Sequence, residues 1–144
     1  MKLATTPKEA IYARTDEEME RHLPIATSYG VTEKVALTCR MLANDGHGSG
    51  LAGQITVRGD DPATFWTQRF GLGMDEVKAS NVLLVDRDLR VLQGEGMANP
   101  ANRFHMWIYR ARPEVNCIIH THPFWCSALS MLEEPLAISH DRAL

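Results

Sequence analysis

The stretch that most constrains the fold of this chain is "NPANRFHMWIYRARPEVNCIIHTHP", which joins a helical pattern directly to a strand pattern. Asn99 is a good residue to cap a helix, and Pro100 suits the first helical position. Pro113 ends that helix, because proline has no backbone N–H with which to continue it. The apolar run "NCIIHTHP" then predicts a buried strand. The helix after it, "PFWCSALSML", is apolar on nearly all sides and is also expected to be buried.

This strand ends with two histidines, His120 and His122. Side chains alternate along a strand, so the two imidazoles project from the same face with their Cα atoms about 6.5–7 Å apart. Such a pair can converge on one divalent ion, which zinc would bind at roughly 2.0–2.1 Å from each nitrogen. A structural role, at a strand end or in a satisfied polar patch, is the alternative. Imidazole also suits iron, cobalt and copper, and a stable site needs a third or fourth ligand.

The rest of the chain predicts helices first and then strands. Residues 1–15 show no regular pattern, and "TDEEMERHL" predicts a short helix over about residues 16–23. "VTEKVALTCRMLANDG" predicts a second helix, capped by Thr32 and ended by Gly46. Strands follow in "QITVR", "ATFWTQRF" and the hairpin "VLLVDRDLRVLQ". This order of elements suggests a mostly antiparallel sheet with helices on both faces.

Two parts of the chain are suited to binding an anion. Several glycines precede "QITVR", and backbone amides at glycine can approach an anion closely, although an ordinary helix-to-strand turn would use the same residues. His47, just ahead of this run, is either within reach of an anion or simply solvated. The amides at the start of the helix after Asn99 form the second place, although most helices begin this way without binding anything. On that helix, Arg103, Arg110 and Arg112 stay available to solvent or to anions.

The composition excludes several classes of protein. With 144 residues the chain is long enough for one domain, and its 44% hydrophobic and 23% charged content is typical of a soluble globular protein. The 15 basic residues are scattered and the formal net charge is −3, so no nucleic-acid partner is expected. No apolar run approaches the roughly 20 residues of a membrane span, and the charged N-terminus lacks a signal-peptide core. Three cysteines without a close pair favour reduced thiols and a cytoplasmic location.

Three segments together resemble the class II aldolase/adducin family: "LAGQITVR", "FWTQRFGLGMDEVKASNVLLVD" and the helix–strand stretch described first, extended through "FWCSAL". The resemblance covers roughly residues 28–138, and "HMWIYRARPEVNCIIHTHP" is its most specific part. It implies a three-layer α/β/α domain with a mostly antiparallel sheet over residues 28–144, preceded by a lead-in and short helix over residues 1–27. The family's third metal-ligating histidine lies well downstream of the H-x-H pair, so the domain is expected to be incomplete at its C-terminus.

The resemblance implies that His120 and His122 are metal ligands. The chain stops 22 residues after His122, and His140 is the only histidine left in that tail. Because the family's third histidine lies further downstream, His140 is a weaker candidate for a metal ligand than His120 and His122. His105, on the preceding helix, is expected to support the pocket rather than to bind the metal. The family's enzymes use a divalent ion to stabilise a carbanion formed when a carbon–carbon bond breaks. Zinc is the first candidate here, with manganese, cobalt or iron as alternatives.

The resemblance also implies substrate contacts at three loops. These contacts fall on Gly53, Gln54, Thr67, Gly71 and Asn99. The sugar-phosphate aldolases place an acid/base glutamate four residues before the helix histidine, where this chain has Ala101. Alanine cannot move a proton, so the chain resembles the decarboxylase and adducin-like branch more closely than the sugar-phosphate aldolases.

Two functions from different classes follow. The first is a metal-dependent carbon–carbon lyase, of decarboxylase or aldolase type, acting on a small carboxylated or hydroxylated molecule. The second is a non-catalytic adducin-like binding or assembly module, or an inactive fragment. The intact His120 and His122 favour the enzyme, whereas Ala101 and the short C-terminus favour the module. Family members are usually homotetramers with sites at subunit borders, so a homo-oligomer is expected.

Overall fold

A computed structural model describes residues 6–22 and 28–133. Its helices are α1 (Lys8–His22), α2 (Val31–Asn44), α3 (Asn102–Ala111) and α4 (Phe124–Leu129). Its strands are β1 (Gln54–Arg58), β2 (Thr64–Gln68), β3 (Val82–Asp86), β4 (Val91–Gln93) and β5 (Cys117–His120). Two short 3-10 turns, Met74–Glu76 and Ala79–Asn81, join β2 to β3. His140 lies outside the described residues, and no helix within them is long and apolar enough to cross a membrane.

The five strands form one sheet in the order β4-β3-β2-β1-β5, with every neighbouring pair antiparallel. Alternation along β1 sends Ile55 to one face and Thr56 to the other. Ile55 joins the apolar cluster built on α2, while the Thr56 hydroxyl meets Tyr109 of α3. The sheet therefore lies between α2 and α3, and the expected three-layer α/β/α fold with an antiparallel sheet is confirmed.

Each face of the sheet has its own apolar core. The first contains α2, β1 and the segment between β2 and β3; its buried members are Val35, Ala36, Cys39, Ile55, Met74, Val77 and Val82. The second lies under α3; its buried members are Phe65, Leu83, Val85, Ala98, Met106 and Tyr109. Burying one such large side chain stabilises a fold by about 1.5–3 kcal/mol, so these clusters hold α2 and α3 against the sheet.

The first two helices begin at earlier residues than their predicted capping residues indicated. α1 begins at Lys8 instead of residue 16, and the Thr15 hydroxyl donates to the carbonyl of Ile11 within the helix instead of capping it. α2 begins at Val31 because the backbone N–H of Gly30 donates to the Glu33 carboxylate at 2.8 Å. A carboxylate reaching back to the start of the helix satisfies a free donor there, so the cap expected from Thr32 is not needed.

The buried face of α3 also differs from the apolar stripe that its sequence suggests. The helix begins at Asn102 rather than Pro100, because the Asn99 side-chain oxygen accepts a hydrogen bond from the Ala101 N–H at 2.9 Å and holds a turn there. Its buried residues are Asn102, His105, Met106 and Tyr109. The apolar Ile108 is not among them and is 37% exposed. A face of α3 that mixes polar and apolar side chains thus turns to the sheet.

β5 and α4 were both expected to be buried, and the structure corrects both predictions. β5 pairs only with β1 within the described residues, so it is an edge strand, and Ile119 is 48% exposed. On α4, Phe124 and Trp125 are 71% and 76% exposed. An apolar sequence is buried only where another element covers it, and no described element covers this end of the sheet. Within the described residues, β5 is therefore an exposed edge of the sheet.

Candidate metal and substrate site

The two histidines at the end of β5 converge. The Nε2 atoms of His120 and His122 lie 2.7 Å apart, and their ring centres are 4.7 Å apart. The His120 ring also stands edge-on to Phe104 of α3 at 5.1 Å between centroids, which fixes its orientation from the other side. His120 is half-buried and His122 is exposed, so one ligand is held by packing while the other stays accessible. Two imidazole nitrogens aimed at one point fit a divalent metal ion as two of its ligands.

The start of β1, at Gln54 and the preceding Gly53, positions this pair of histidines. Gln54 is the direct pairing partner of His120, so their side chains share the α3 face of the sheet. Gly53 lies in the left-handed region at φ +92°, where a side chain is strained. An added Cβ at Gly53 would lie 3.0 Å from the carbonyl oxygen of His120 and 2.7 Å from the Met74 side chain. Glycine at this position therefore relieves both the backbone strain and the crowding where β1 meets β5 at His120.

We expect Gly53→Ala to destabilise the fold by about 3 kcal/mol, the sum of a left-handed backbone penalty and a steric clash. Gly46→Ala is the matched control, because Gly46 also has a positive φ of +79° but a Cβ there meets no described atom within 4 Å. That variant should lose only about 1 kcal/mol. Urea unfolding of both variants measures the difference. Equal losses would show that Gly53 serves the backbone conformation alone.

Thr56 organises the polar layer between β1 and α3. Its hydroxyl lies 2.8 Å from Nδ1 of His105 and 3.0 Å from the Tyr109 hydroxyl. Tyr109 donates its proton to the carbonyl oxygen of Thr56 at 2.8 Å. These three residues are nearly inaccessible to solvent, with exposures of 0%, 0% and 3% for Thr56, His105 and Tyr109. The expectation that His105 supports the site fits this location, inside α3 and against the strand that pairs with β5.

Three buried polar atoms of this layer have no hydrogen-bond partner among the described residues. They are Gln54 Nε2, Asn102 Oδ1 and His105 Nε2. The Asn102 amide nitrogen itself donates to the Thr67 hydroxyl at 3.0 Å, so only its oxygen is left over. Buried polar atoms are nearly always paired, and unpaired ones call for a functional explanation or a bound water. Gln54 lies on the same face as His120, so its amide is placed to serve a bound molecule.

Burial disfavours protonation of two imidazoles of the site, His105 and His120. Desolvation, followed by the proximity of His120, lowers the pKa of His105 to about 4. Desolvation, followed by the proximity of His122, also lowers the pKa of His120. A neutral imidazole is the form that binds a metal, because the coordinating nitrogen must carry a free lone pair.

The remaining predicted site residues are placed less uniformly. Thr67 is fully buried, and its hydroxyl accepts a hydrogen bond from the Asn102 amide. Gly71 is exposed at φ +90°, and Asn99 is half-buried in the turn before α3. Nδ1 of His47 lies 3.1 Å from the hydroxyl of Thr121, between the two metal-ligand candidates in sequence. No group of three potential metal ligands occurs within residues 6–22 and 28–133.

Asn102, Thr56 and Tyr109 are parts of this layer that sequence reasoning did not single out. A signal was available on α3, where Asn102, His105 and Tyr109 recur at spacings of three and four residues. That spacing places polar side chains on one side of a helix. Such a stripe is normally solvent-exposed, and only the facing threonines of β1 and β2 show that it is buried.

Comparison with known proteins identifies a family and several relatives of this chain. The family described as Class II Aldolase and Adducin N-terminal domain matches residues 33–144. The Meiotically up-regulated gene 14 protein of Schizosaccharomyces pombe is 31% identical over 105 residues, which are 71% of this chain and 41% of that protein. The 3,4-dihydroxyphthalate decarboxylase of Arthrobacter keyseri is 33% identical over 106 residues, covering 67% of this chain and 42% of that protein.

A solved structure agrees with the sequence matches. The L-fuculose 1-phosphate aldolase of Glaciozyma antarctica superposes with a TM-score of 0.73 at 32% identity, covering 78% of this chain and 48% of that one. The chain thus spans less than half the length of each of these three proteins. The family match and the layered fold agree, and this chain belongs to the class II aldolase and adducin family.

Proposed function

We propose that this chain is the metal- and substrate-binding part of a carbon–carbon lyase that depends on a divalent metal ion. The observation that carries the proposal is the 2.7 Å approach of the His120 and His122 Nε2 atoms beside a buried polar layer. This approach brings two potential ligand nitrogens to one place, as the binding of a single ion requires. Zinc is the first candidate for the ion, with manganese, cobalt or iron as alternatives, because imidazole binds all of them.

When bound, the ion would act as a Lewis acid toward an oxygen of the substrate. The other roles belong to the chain itself. The Gln54 amide is a buried donor on the face that carries His120, so it is suited to orienting a carboxylate or hydroxyl oxygen. His105, held by Thr56, keeps one ring nitrogen directed away from that threonine and without a described partner. The exposed Gly71 and the half-buried Asn99 complete the proposed set of substrate contacts.

Decarboxylation suits this chain better than aldol cleavage of a sugar phosphate. Ala101 begins the turn of α3 that leads to Phe104, and Phe104 contacts His120, so residue 101 lies one helical turn from a residue of the site. Alanine there has no proton to transfer. Loss of carbon dioxide from a carboxylated substrate makes less demand on a carboxylate base. The 33% identity to a dihydroxyphthalate decarboxylase and the 32% identity to an L-fuculose 1-phosphate aldolase are nearly equal, so the choice rests on Ala101.

The site also needs a contribution from outside the described residues. Two histidines are fewer than the three protein ligands of a typical catalytic zinc site. His140 or a residue of a second copy would supply the third, which agrees with the proposed homo-oligomer, a tetramer as in related enzymes. All three cysteines are free, as expected for the cytoplasmic location that we propose.

The test is an activity assay of the purified chain, after chelation and reloading with zinc, manganese, cobalt or iron(II). Dihydroxylated aromatic acids and sugar phosphates form the two substrate panels, with carbon dioxide release and aldehyde formation as readouts. We expect metal-dependent carbon dioxide release that is lost in His120→Ala and retained in His47→Ala. Metal-dependent aldehyde formation would instead identify an aldolase.

The second candidate, a non-catalytic module of adducin type, is favoured by Ala101 and by the two-ligand site. It predicts no turnover on either panel with any of the four metals. Ala101→Glu separates the two functions further, because a carboxylate at residue 101 would restore the missing acid/base group. Aldehyde formation that appears only in Ala101→Glu would mean that the machinery is intact and lacks this one group.

A further inference from the structure

α1 is a helix without a described partner. It has 15 residues and none of them is buried. An isolated helix of this length is marginal in water, so most such helices are stabilised by packing against another element. α1 also precedes residue 33, where the family match begins, so the shared fold does not account for it. These facts call for a surface that α1 can bind.

One side of α1 combines acidic groups with an aromatic ring. Glu9, Tyr12 and Asp16 are spaced by three and then four residues, which places them in one row along the helix. Tyr12 is 56% exposed, and Met19, on the same side, is 40% exposed. The row therefore presents a carboxylate, an apolar ring and a second carboxylate, with about 10.5 Å of helix between the two acids.

The outer side of α3 carries the complementary row. Arg103, Trp107 and Arg110 are spaced by four and then three residues, so two guanidinium groups flank one indole over the same 10.5 Å or so. All three are exposed, and Trp107 is 69% exposed. Neither arginine forms an ion pair within the described residues. The row borders an open cleft of about 890 Å³, to which Arg87 also contributes.

The two rows match when the helices run antiparallel. Along α1 the residues of the row are spaced by three and then four. Reading α1 in the opposite direction gives a spacing of four and then three, which is the spacing of the row on α3. Glu9 then faces Arg110, Tyr12 faces Trp107, and Asp16 faces Arg103. Both charge pairs and the aromatic pair form in one register. A row paired with a copy of itself would instead oppose like charges.

We propose that α1 of one copy docks on the α3 row of a second copy, and that the second copy returns the same contact. The partner is a second copy because α1 leaves Tyr12 exposed and the same chain leaves Trp107 exposed, so the chain does not satisfy its own row. A reciprocal exchange of this kind gives a closed two-fold dimer. The dimer contact does not depend on the proposed lyase function, because it uses no residue of the metal site.

Two charge-reversed variants test the proposal by sedimentation equilibrium. The first carries Glu9→Lys and Asp16→Lys, and the second carries Arg103→Glu and Arg110→Glu. Each variant alone opposes like charges in both contacts, so its dimer dissociation constant should rise by roughly tenfold or more. An equimolar mixture pairs each reversed helix with an oppositely charged row, so a heterodimer should form with near wild-type affinity. The wild-type dimer should also weaken with added salt.

Two controls distinguish this contact from a general effect of charge and from misfolding. Glu17→Lys with Glu18→Lys changes the charge of α1 by the same amount on other sides of the helix, and it should leave the dimer intact. Circular dichroism confirms that each variant is folded. A monomeric wild type, or self-association that persists equally in both reversed variants, would overturn the proposal. A single chain that carries all four substitutions gives a further test. If that chain dimerised as the wild type does while the mixture of the two variants stayed monomeric, α1 would dock on its own chain. That result would also contradict the proposal.

Discussion

Removing both His120 and His122 by alanine substitution should lower the affinity for divalent metal by more than about 100-fold. Loss of an outer-shell partner alone costs a metal site about 10–100-fold, and here the ligands themselves are removed. The two Nε2 atoms already lie 2.7 Å apart, so the wild-type chain needs only a small separation of the two rings to present both nitrogens to one ion. Calorimetric titration with zinc, manganese and cobalt gives the affinity and the number of ions per chain.

The controls for this titration come from other histidines of the chain. His47 bonds to Thr121 instead of facing the pair, so His47→Ala should bind metal as the wild type does. We expect weak binding that His140→Ala leaves unchanged. Tight binding of one ion per chain that is lost in His140→Ala would instead show that the tail completes the site. Undiminished binding in the double alanine variant would place the metal elsewhere and remove the basis of the proposed function.

The second large effect is a loss of stability on acidification that is caused by His105. Burial lowers its folded-state pKa to about 4, whereas an unfolded histidine titrates near 6.5. Between these values the unfolded chain binds the proton and the folded chain does not, so stability rises with pH and falls as pH drops from about 6.5 to about 4. The full contribution, up to about 3 kcal/mol, is present above pH 6.5 or so and is lost near pH 4.

Urea unfolding of the metal-free protein at several values between pH 7.5 and pH 4 measures this loss. His105→Gln is the matched variant, because glutamine can still hydrogen-bond to the Thr56 hydroxyl but does not titrate. Its stability should depend on pH less steeply than that of the wild type, by up to about 3 kcal/mol over the range. Identical slopes in the two proteins would mean that His105 is charged in the folded state, in conflict with its burial at 0% exposure.

The metal site and the proposed dimer contact use opposite sides of the same helix. Asn102, His105 and Tyr109 face the sheet, while Arg103, Trp107 and Arg110 face outward. α3 therefore links the polar layer beside His120 to the surface on which a second copy would dock. Because the two rows lie on opposite sides of α3, reversing the charges of Arg103 and Arg110 leaves the hydrogen bonds of Asn102, His105 and Tyr109 unbroken.

The sequence by itself determined the order of the elements and the convergence of the histidines. The strand "QITVR", the hairpin after residue 81 and the helix before Pro113 all follow from local periodicity and turn residues. His120 and His122 share a face because alternate residues of an extended chain always do so. These features depend on backbone geometry over a few residues, which the sequence contains in full.

Only the tertiary structure decided which surfaces are buried. The polar side of α3 faces the sheet because Thr56 and Thr67 meet His105 and Asn102 there, across 49 and 35 residues of sequence. β5 and α4 looked buried from their apolar residues, yet no described element covers Ile119 or Trp125. Burial is a property of a residue and its partner together, and the partner often lies far away in sequence. Periodicity identifies the face of an element, and only packing shows what that face meets.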